Sequence, residues 1–344
     1  MDIQFIDPIN LPSWDEGIRR FPQASFFHGA AWAKVLSESY GYRPAYLTLM
    51  QAGEMTALLP VMEVTSFITG TRGVSLPFTD YCEALTPNRE VSRVLLDVIK
   101  GEGKKKGWQY IELRGGSDYL VDAPAYDFFY THKLDLSPGT AQLFKNLRDS
   151  TRRNIRKSEK AGLDVRFEST LDSLKEFYRL NCLTRREHGL PPQPWAFFEN
   201  VFKHIIQPGD GLVANVLHEN KVIASNVYFR FGDMAIYKYG ASDKRYQNLR
   251  ANNLLMWEAI KRYAEDGCRQ LCFGRTEPWN EGLRQFKAGW GTEEKTINYY
   301  RYDLARDCFL AGSPGTSQIS KNIFCRMPLP LARAIGSVLY RHVG

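Results

Sequence analysis

The sequence predicts a layered α/β (α+β) fold made of two similar halves, and three observations carry that prediction. A strand, tight turn and strand occur at residues 45–61 and again at 212–227. After each hairpin, a helical stripe stops at a glycine and feeds a strand. Val91, Val94, Leu95, Val98 and Ile99 lead to Gly107 and Trp108-Gln109-Tyr110-Ile111-Glu112-Leu113. Leu254, Leu255, Trp257, Ile260 and Ala264 lead to Gly267 and Cys268-Arg269-Gln270-Leu271-Cys272-Phe273. Each of those strands then runs into glycine and arginine, Arg114-Gly115 in one half and Gly274-Arg275 in the other.

The remaining elements follow in order. Gln51-Ala52-Gly53-Glu54 and His218-Glu219-Asn220-Lys221 are the two hairpin turns. Leu136-Ser137-Pro138-Gly139-Thr140 marks the boundary, because Pro-Gly ends a strand and opens a turn. The expected domains are therefore 1–137 and 138–304, with 305–344 as a tail. Residues 142–160 read as one very basic helix. Leu171, Leu174, Tyr178 and residues 180–183 predict a helix ending at His188-Gly189. Pro191, Pro192 and Pro194 form a rigid loop before a helix that starts near Trp195. Residues 312–317 are linker-like, and 329–343 form a short basic amphipathic tail.

Composition bounds the function. At roughly 150 residues per domain, 344 residues suit two domains. With 44% hydrophobic and 24% charged residues the chain is neither disordered nor a disulfide-stapled scaffold. A net charge of +7 points to an anionic partner. No apolar run approaches the roughly 18 residues of a spanning helix, and the start lacks the basic and apolar regions of a signal peptide. The six cysteines show no framework, as reduced thiols would. The expected location is cytoplasmic.

Four constellations carry chemistry. Lys145, Arg148, Arg152, Arg153, Arg156, Lys157 and Lys160 face only Asp149 and Glu159. Arg148, Arg152 and Arg156, at i, i+4 and i+8, share one helical face and suit a phosphate or pyrophosphate. The competing reading is a solvated face. In the glycine- and proline-rich segment 69–81, Asp80 is placed to accept from a substrate amine and Tyr81 to donate; an ordinary capped turn reads equally well. Lys287, between Phe286 and Trp290, suits an oxyanion in a partly apolar pocket. Against that stands a core Phe286–Trp290 pair with Lys287 exposed. Residues 238–253 place a polar loop before a helix start but lack a glycine-rich phosphate cradle.

No Walker loop, dinucleotide fingerprint, His-Glu-x-x-His or Gly-x-Ser-x-Gly occurs. Cys268 and Cys272 read as core thiols, the six histidines form no cluster, and no metal site is expected.

The pattern Trp32, Tyr40-Gly41-Tyr42, Leu59-Pro60 and Leu76-Pro77-Phe78-Thr79-Asp80-Tyr81 resembles the first domain of FemAB-like proteins. Arg152-Arg153-Asn154-Ile155-Arg156-Lys157 resembles the start of their second domain. So do His188-Gly189-Leu190-Pro191, Tyr239-Gly240-Ala241-Ser242, Asn252-Asn253-Leu254-Leu255, Phe273-Gly274-Arg275 and Phe286-Lys287-Ala288-Gly289-Trp290-Gly291 within it. The chain looks most similar to the bacterial subgroup associated with exopolysaccharide and protein-sorting gene clusters.

That resemblance implies two tandem GNAT-like (N-acetyltransferase-type) domains with a C-terminal segment returning to the first. It implies transfer of an acyl or aminoacyl group to an amine of a cell-wall, peptidoglycan or exopolysaccharide precursor. Lys287 and Phe286 inherit a catalytic expectation, and Asp80, which the sequence itself suits to accept from the acceptor amine, is expected to act with them. Tyr81, Arg152, Arg153, Arg156, Tyr239, Arg275 and Trp290 are expected to bind substrate, one junction arginine holding phosphate. No tightly bound cofactor is implied, and the co-substrate is acyl-CoA or aminoacyl-tRNA. The family's usual pyrophosphate loop is replaced by Gln247-Asn248-Leu249-Arg250-Ala251-Asn252, and the coiled-coil arm of some cell-wall members is missing.

The expected partners are a phosphate-bearing or lipid-linked acceptor, with tRNA and a peripheral contact at the inner membrane face as further expectations. Arg326, Arg333 and Arg341 interleave with apolar residues in the tail, which suits either an anionic membrane surface or packing on the first domain. From a different class, the basic helix also fits a non-catalytic nucleic-acid-binding protein.

Overall fold

The computed structural model describes residues 2–312 and 324–344. Most of the linker-like stretch 312–317 lies outside the described residues. The chain divides into two compact units, Met1–Phe129 with Thr296–Thr316 and Val338–Gly344, and Tyr130–Lys295 with Ser317–Ser337.

In the first unit β1 (Asp2–Ile6) precedes α1 (Trp14–Ile18) and α2 (Ala30–Tyr40), which buries Trp32, Val35 and Leu36. β2 (Arg43–Pro44) and β3 (Tyr46–Gln51) lead into β4 (Glu54–Leu59). The β3–β4 turn places Ala52 at φ 50° and Gly53 at φ 82°, the left-handed pair a two-residue hairpin needs. β5 (Met62–Ser66) and β6 (Gly70–Val74) form a second hairpin, and α3 (Arg89–Lys105) follows. Asn88 caps α3 by accepting from the Val91 N–H, and Gly107 at φ 69° turns the chain into β7 (Tyr110–Arg114). β7 runs parallel to β6. Leu95, Leu96 and Ile99 of α3 bury against Leu47, Leu49, Ala57 and Ile111.

The second unit begins within β8 (Asp127–Asp135). Next come α4 (Thr140–Asn146), α5 (Asp149–Glu159), β9 (Asp164–Glu168) and α6 (Leu171–Glu187), which Gly189 ends at φ 68°. α7 (Trp195–Val201) starts after Pro194, as the proline-rich loop predicts. β10 (Gly211–His218) and β11 (Lys221–Phe231) turn through Glu219 and Asn220 at φ 50° and 61°, repeating the turn chemistry of the first unit. β12 (Met234–Ser242), α8 (Ala251–Glu265) and β13 (Gln270–Thr276) complete the repeat, with Gly267 at φ 77° ending the helix. The strand order is β8-β13-β12-β11-β10-β9, antiparallel except for β12 and β13. Leu255, Met256, Ala259 and Ile260 of α8 and Ile155 of α5 fill the core against it. α9 (Glu281–Ala288) follows.

Two sequence expectations need correction. The basic stretch 142–160 is two helices, not one. Leu147 and Arg148 are extended, because the Arg148 N–H donates to the Gly289 carbonyl (3.0 Å) instead of continuing the helix. The units also differ from the expected 1–137, 138–304 and 305–344. The division falls after Phe129 and after Lys295, because β14 (Glu293–Asp303) pairs its Tyr299–Asp303 end with β7 of the first unit. The tail is shared as well: Arg333 lies over the Tyr178 ring in the second unit, whereas 338–344 belong to the first. β15 (Cys308–Leu310) edges β14. Among the described residues, no helix is long and apolar enough to cross a membrane.

Candidate active site

The second unit contains an opening built by its parallel strand pair, β12 and β13. β12 and β13 are in register only from Met234↔Gln270 to Ile236↔Cys272. Beyond that, β12 keeps its bonds to β11, with Tyr239 opposite Val227 and Gly240 opposite Asn226. β13 instead follows β8, with Arg275 opposite Thr131. The facing edges from Tyr237 and from Phe273 onward therefore part, and ladder groups are released along both walls.

Against β8, on the other edge of β13, the register shifts between Cys272 and Arg275, and Gly274 sits at φ 68°. The Lys287 Nζ donates to two carbonyls of that irregularity, Gly274 O at 3.0 Å and Arg275 O at 3.1 Å. α9 delivers the lysine: Asn280 caps its start by accepting from the Leu283 N–H. Lys287 is only 2% exposed, so the exposed alternative drawn from the sequence is wrong. Trp290 is fully buried, its ring 5.8 Å from Phe286 and 6.5 Å from Phe273. It packs the wall that holds the lysine. Arg275 pairs with Glu277 at 3.6 Å, and Tyr239 stands half-buried among Phe177, Phe197, Phe198 and Phe229.

Sequence reasoning missed the groups around Lys287. His132, on β8 and wholly buried, has Nε2 3.0 Å from Glu294 Oε2. Arg284 grips Glu294 with two hydrogen bonds of 2.6 Å and lies 3.9 Å over the Tyr130 ring. Burial, then the Lys287 charge, pushes the His132 pKa down. The hydrogen bond from Arg284 holds Glu294 below the usual carboxylate range. Arg284, Lys287 and Glu294 are near neighbours along the chain, on α9 and β14, whereas His132 comes from the distant β8 and carries no local signal.

The basic segment forms a groove of about 420 Å³ lined by Phe144, Lys145, Asp149, Arg152, Arg153 and Arg156. Arg152 is partly committed, donating to the Lys145 carbonyl at 2.8 Å and to Asp149. Arg153 is exposed and forms no ion pair among the described residues, while Arg156 lies 6.0 Å over the Phe144 ring. Arg148 leaves this face. With Arg284, Glu294 and Gln285 it lines a neighbouring groove of about 440 Å³. At the start of α8, Arg250 holds φ 60°, ψ 30°, so the backbone turn exists without a glycine.

Asp80 and Tyr81 belong to the first unit. The Asp80 carbonyl accepts from the Tyr299 hydroxyl at 2.6 Å, and Tyr81 packs on Phe129, Ile297 and Tyr299. Leu76 and Phe78 hold φ 58° and 59°, and the Arg114 guanidinium donates to the carbonyls of Leu76 and Thr79. The loop is a strained, pinned structure. Among the described residues no group of three or more His, Cys, Asp or Glu is placed to hold a metal ion.

Residues 145–288 match the acetyltransferase (GNAT) domain family. No curated protein matches the chain in sequence. Among solved structures, the chain is similar to FemX at 14% identity and TM-score 0.68, covering 87% of this chain and 97% of that one. It is also similar to a tandem GNAT protein from the clavulanic acid biosynthesis pathway, at 10% identity and TM-score 0.58 over 88% and 99%. L-PGS from Bacillus licheniformis aligns at 12% identity and TM-score 0.54 over 87% and 93%. The divergent β12–β13 pair lies inside the matched segment. Residues 145–288 thus match the acetyltransferase (GNAT) domain family, and the chain shares the fold of FemX and of a tandem GNAT protein.

Proposed function

We propose that the protein is an N-acyltransferase that moves an acyl or aminoacyl group from a thioester or ester donor to the amine of a phosphate-bearing acceptor. The observation that carries this reading is the parting of β12 from β13, the strand whose Gly274 and Arg275 carbonyls hold the buried Lys287. A donor lying in that opening bonds to released strand groups, with its carbonyl toward the lysine.

The acceptor amine attacks the donor carbonyl carbon, a C–N bond forms, and the C–S or C–O bond of the donor breaks. The proton lost by the amine goes to the leaving thiolate or alkoxide. Lys287 supplies positive charge near the oxyanion of the tetrahedral intermediate, in a site that excludes water. Phe286 and Trp290 fix its helix, and Tyr239 and Arg275 flank the opening. The groove of Arg152, Arg153 and Arg156 takes the acceptor phosphate, with Arg153 the least committed of the three. The FemAB-like resemblance favours a cell-wall or exopolysaccharide precursor as acceptor, handled at the cytoplasmic face of the inner membrane.

Calorimetric titration with acetyl-CoA tests the donor. Saturable micromolar binding assigns an acyl-CoA donor, and the acceptor search begins with amino sugars. No binding by either acetyl-CoA or an aminoacyl-tRNA would defeat the proposal.

A further inference from the structure

The first unit ends one hairpin in a bare apolar tip. Phe67, in the β5–β6 turn, is 87% exposed, and beside it Ile68 is 57% exposed. The chain end adds Val343, also 57% exposed, next to His342, whose ring meets the Phe67 ring edge-on at 4.6 Å. Single exposed apolar residues are ordinary. Three on one rigid base are not.

The base is rigid by construction. Ser66 Oγ accepts from the N–H groups of Ile68 and Thr69, at 3.1 and 2.9 Å, and lies 3.0 Å from His342 Nδ1. Thr69 Oγ1 donates to the His342 carbonyl. The buried Arg72 guanidinium donates to the carbonyls of His342 and Gly344. With its backbone held at this many points, the turn keeps Phe67 in water.

The rim of the tip is cationic. Arg341 precedes His342, is exposed, and forms no ion pair among the described residues. On the other side, the Gln109 N–H donates to the Thr71 carbonyl, tying β6 to the chain that follows α3. Glu63, on β5, accepts from Trp108 Nε1 at 2.8 Å, and Glu102 pairs with Lys106. Segments 66–70 and 338–344 contain no acid.

We propose that this tip docks the protein on an anionic lipid surface, Phe67, Ile68 and Val343 entering the interface while Arg341 meets acidic headgroups. An apolar wedge beside an uncommitted arginine, on segments without acidic side chains, is complementary to such a surface on both counts. The inference goes beyond the transferase reading and stands without it.

Co-sedimentation of the full chain with vesicles of phosphatidylcholine, with and without phosphatidylglycerol, tests it. Binding is expected only to the phosphatidylglycerol vesicles, weakening with salt. Phe67→Asp with Ile68→Asp lowers the partition by about tenfold or more, and Arg341→Ser lowers it severalfold. Val121→Asp, an exposed apolar position elsewhere in the unit, leaves it unchanged. Equal partition of the Phe67/Ile68 variant and the parent overturns the proposal. So does failure to bind either vesicle, and self-association abolished by the same pair would then reassign the tip to a protein contact. Circular dichroism of each variant keeps misfolding distinguishable from lost binding.

Discussion

Replacing Lys287 by methionine separates chemistry from stability. The apolar stem is retained, so packing against Phe286 and Trp290 persists. The lost Nζ makes two hydrogen bonds, at 3.0 and 3.1 Å. A charged donor contributes about 1.5–3 kcal/mol to each, roughly 3–6 kcal/mol together. Opposing this, withdrawing an ammonium from water to a position 2% exposed costs several kcal/mol. The terms nearly cancel, so the unfolding free energy should move by no more than about 2 kcal/mol. Transfer has no such offset. Removing one preorganised group from the point where charge develops lowers kcat by roughly 10²–10³. The same variant removes a charge that depresses His132, so the His132 pKa rises. Urea unfolding, single-turnover transfer from the donor identified by calorimetry, and the His132 resonance in an NMR pH titration read the three effects separately. Full transfer in a folded Lys287→Met protein would refute the assigned role. A stability loss of about 4 kcal/mol or more would show instead that the lysine is a structural strut.

Three further outcomes follow from the same geometry. Alanine at both Arg152 and Arg153 should weaken binding of inorganic pyrophosphate by about tenfold or more and flatten its salt dependence, as calorimetry would read; unchanged affinity removes the phosphate grip. Trp290→Ala should cost about 3–5 kcal/mol in urea unfolding, because the ring is wholly buried between Phe273 and Phe286. His132 is depressed in the folded state, so the unfolded chain takes up its proton first. Its contribution to stability is whole above the ordinary pKa of 6.5 and is lost as pH falls from there toward the folded value. Glu294, also depressed, adds a second loss only below its ordinary 4.5. A stability profile flat between neutrality and pH 5 would contradict the His132 assignment.

Much of the fold was legible in short stretches of chain, because the determining physics there is local. The two hairpin turns need left-handed residues, and Ala52-Gly53 and Glu219-Asn220 supply them. Gly107 and Gly267 end helices in the same conformation, and the apolar stripes before them match the buried faces, except that Val94 is exposed and Leu96, outside the stripe, is buried. The duplicated α/β plan follows from those signals alone. The candidate site was legible only as residue types. Lys287 and the basic segment stood out, but whether the lysine was exposed could not be read from its neighbours. Its burial depends on carbonyls at Gly274 and Arg275, freed by a register shift against β8. The helix break at Arg148 likewise depends on an acceptor far along the chain, Gly289.

Turns, caps and amphipathic stripes are specified within a few residues, where backbone sterics and side-chain periodicity act directly. Strand partnership is not. The joining of Tyr299–Asp303 to Tyr110–Arg114, and the meeting of His132 with Glu294 and Arg284, come from pairings across long loops. Such contacts are chosen by the burial and hydrogen bonding of the whole assembled unit. That assembly determined where the second unit ends and which charges surround the lysine.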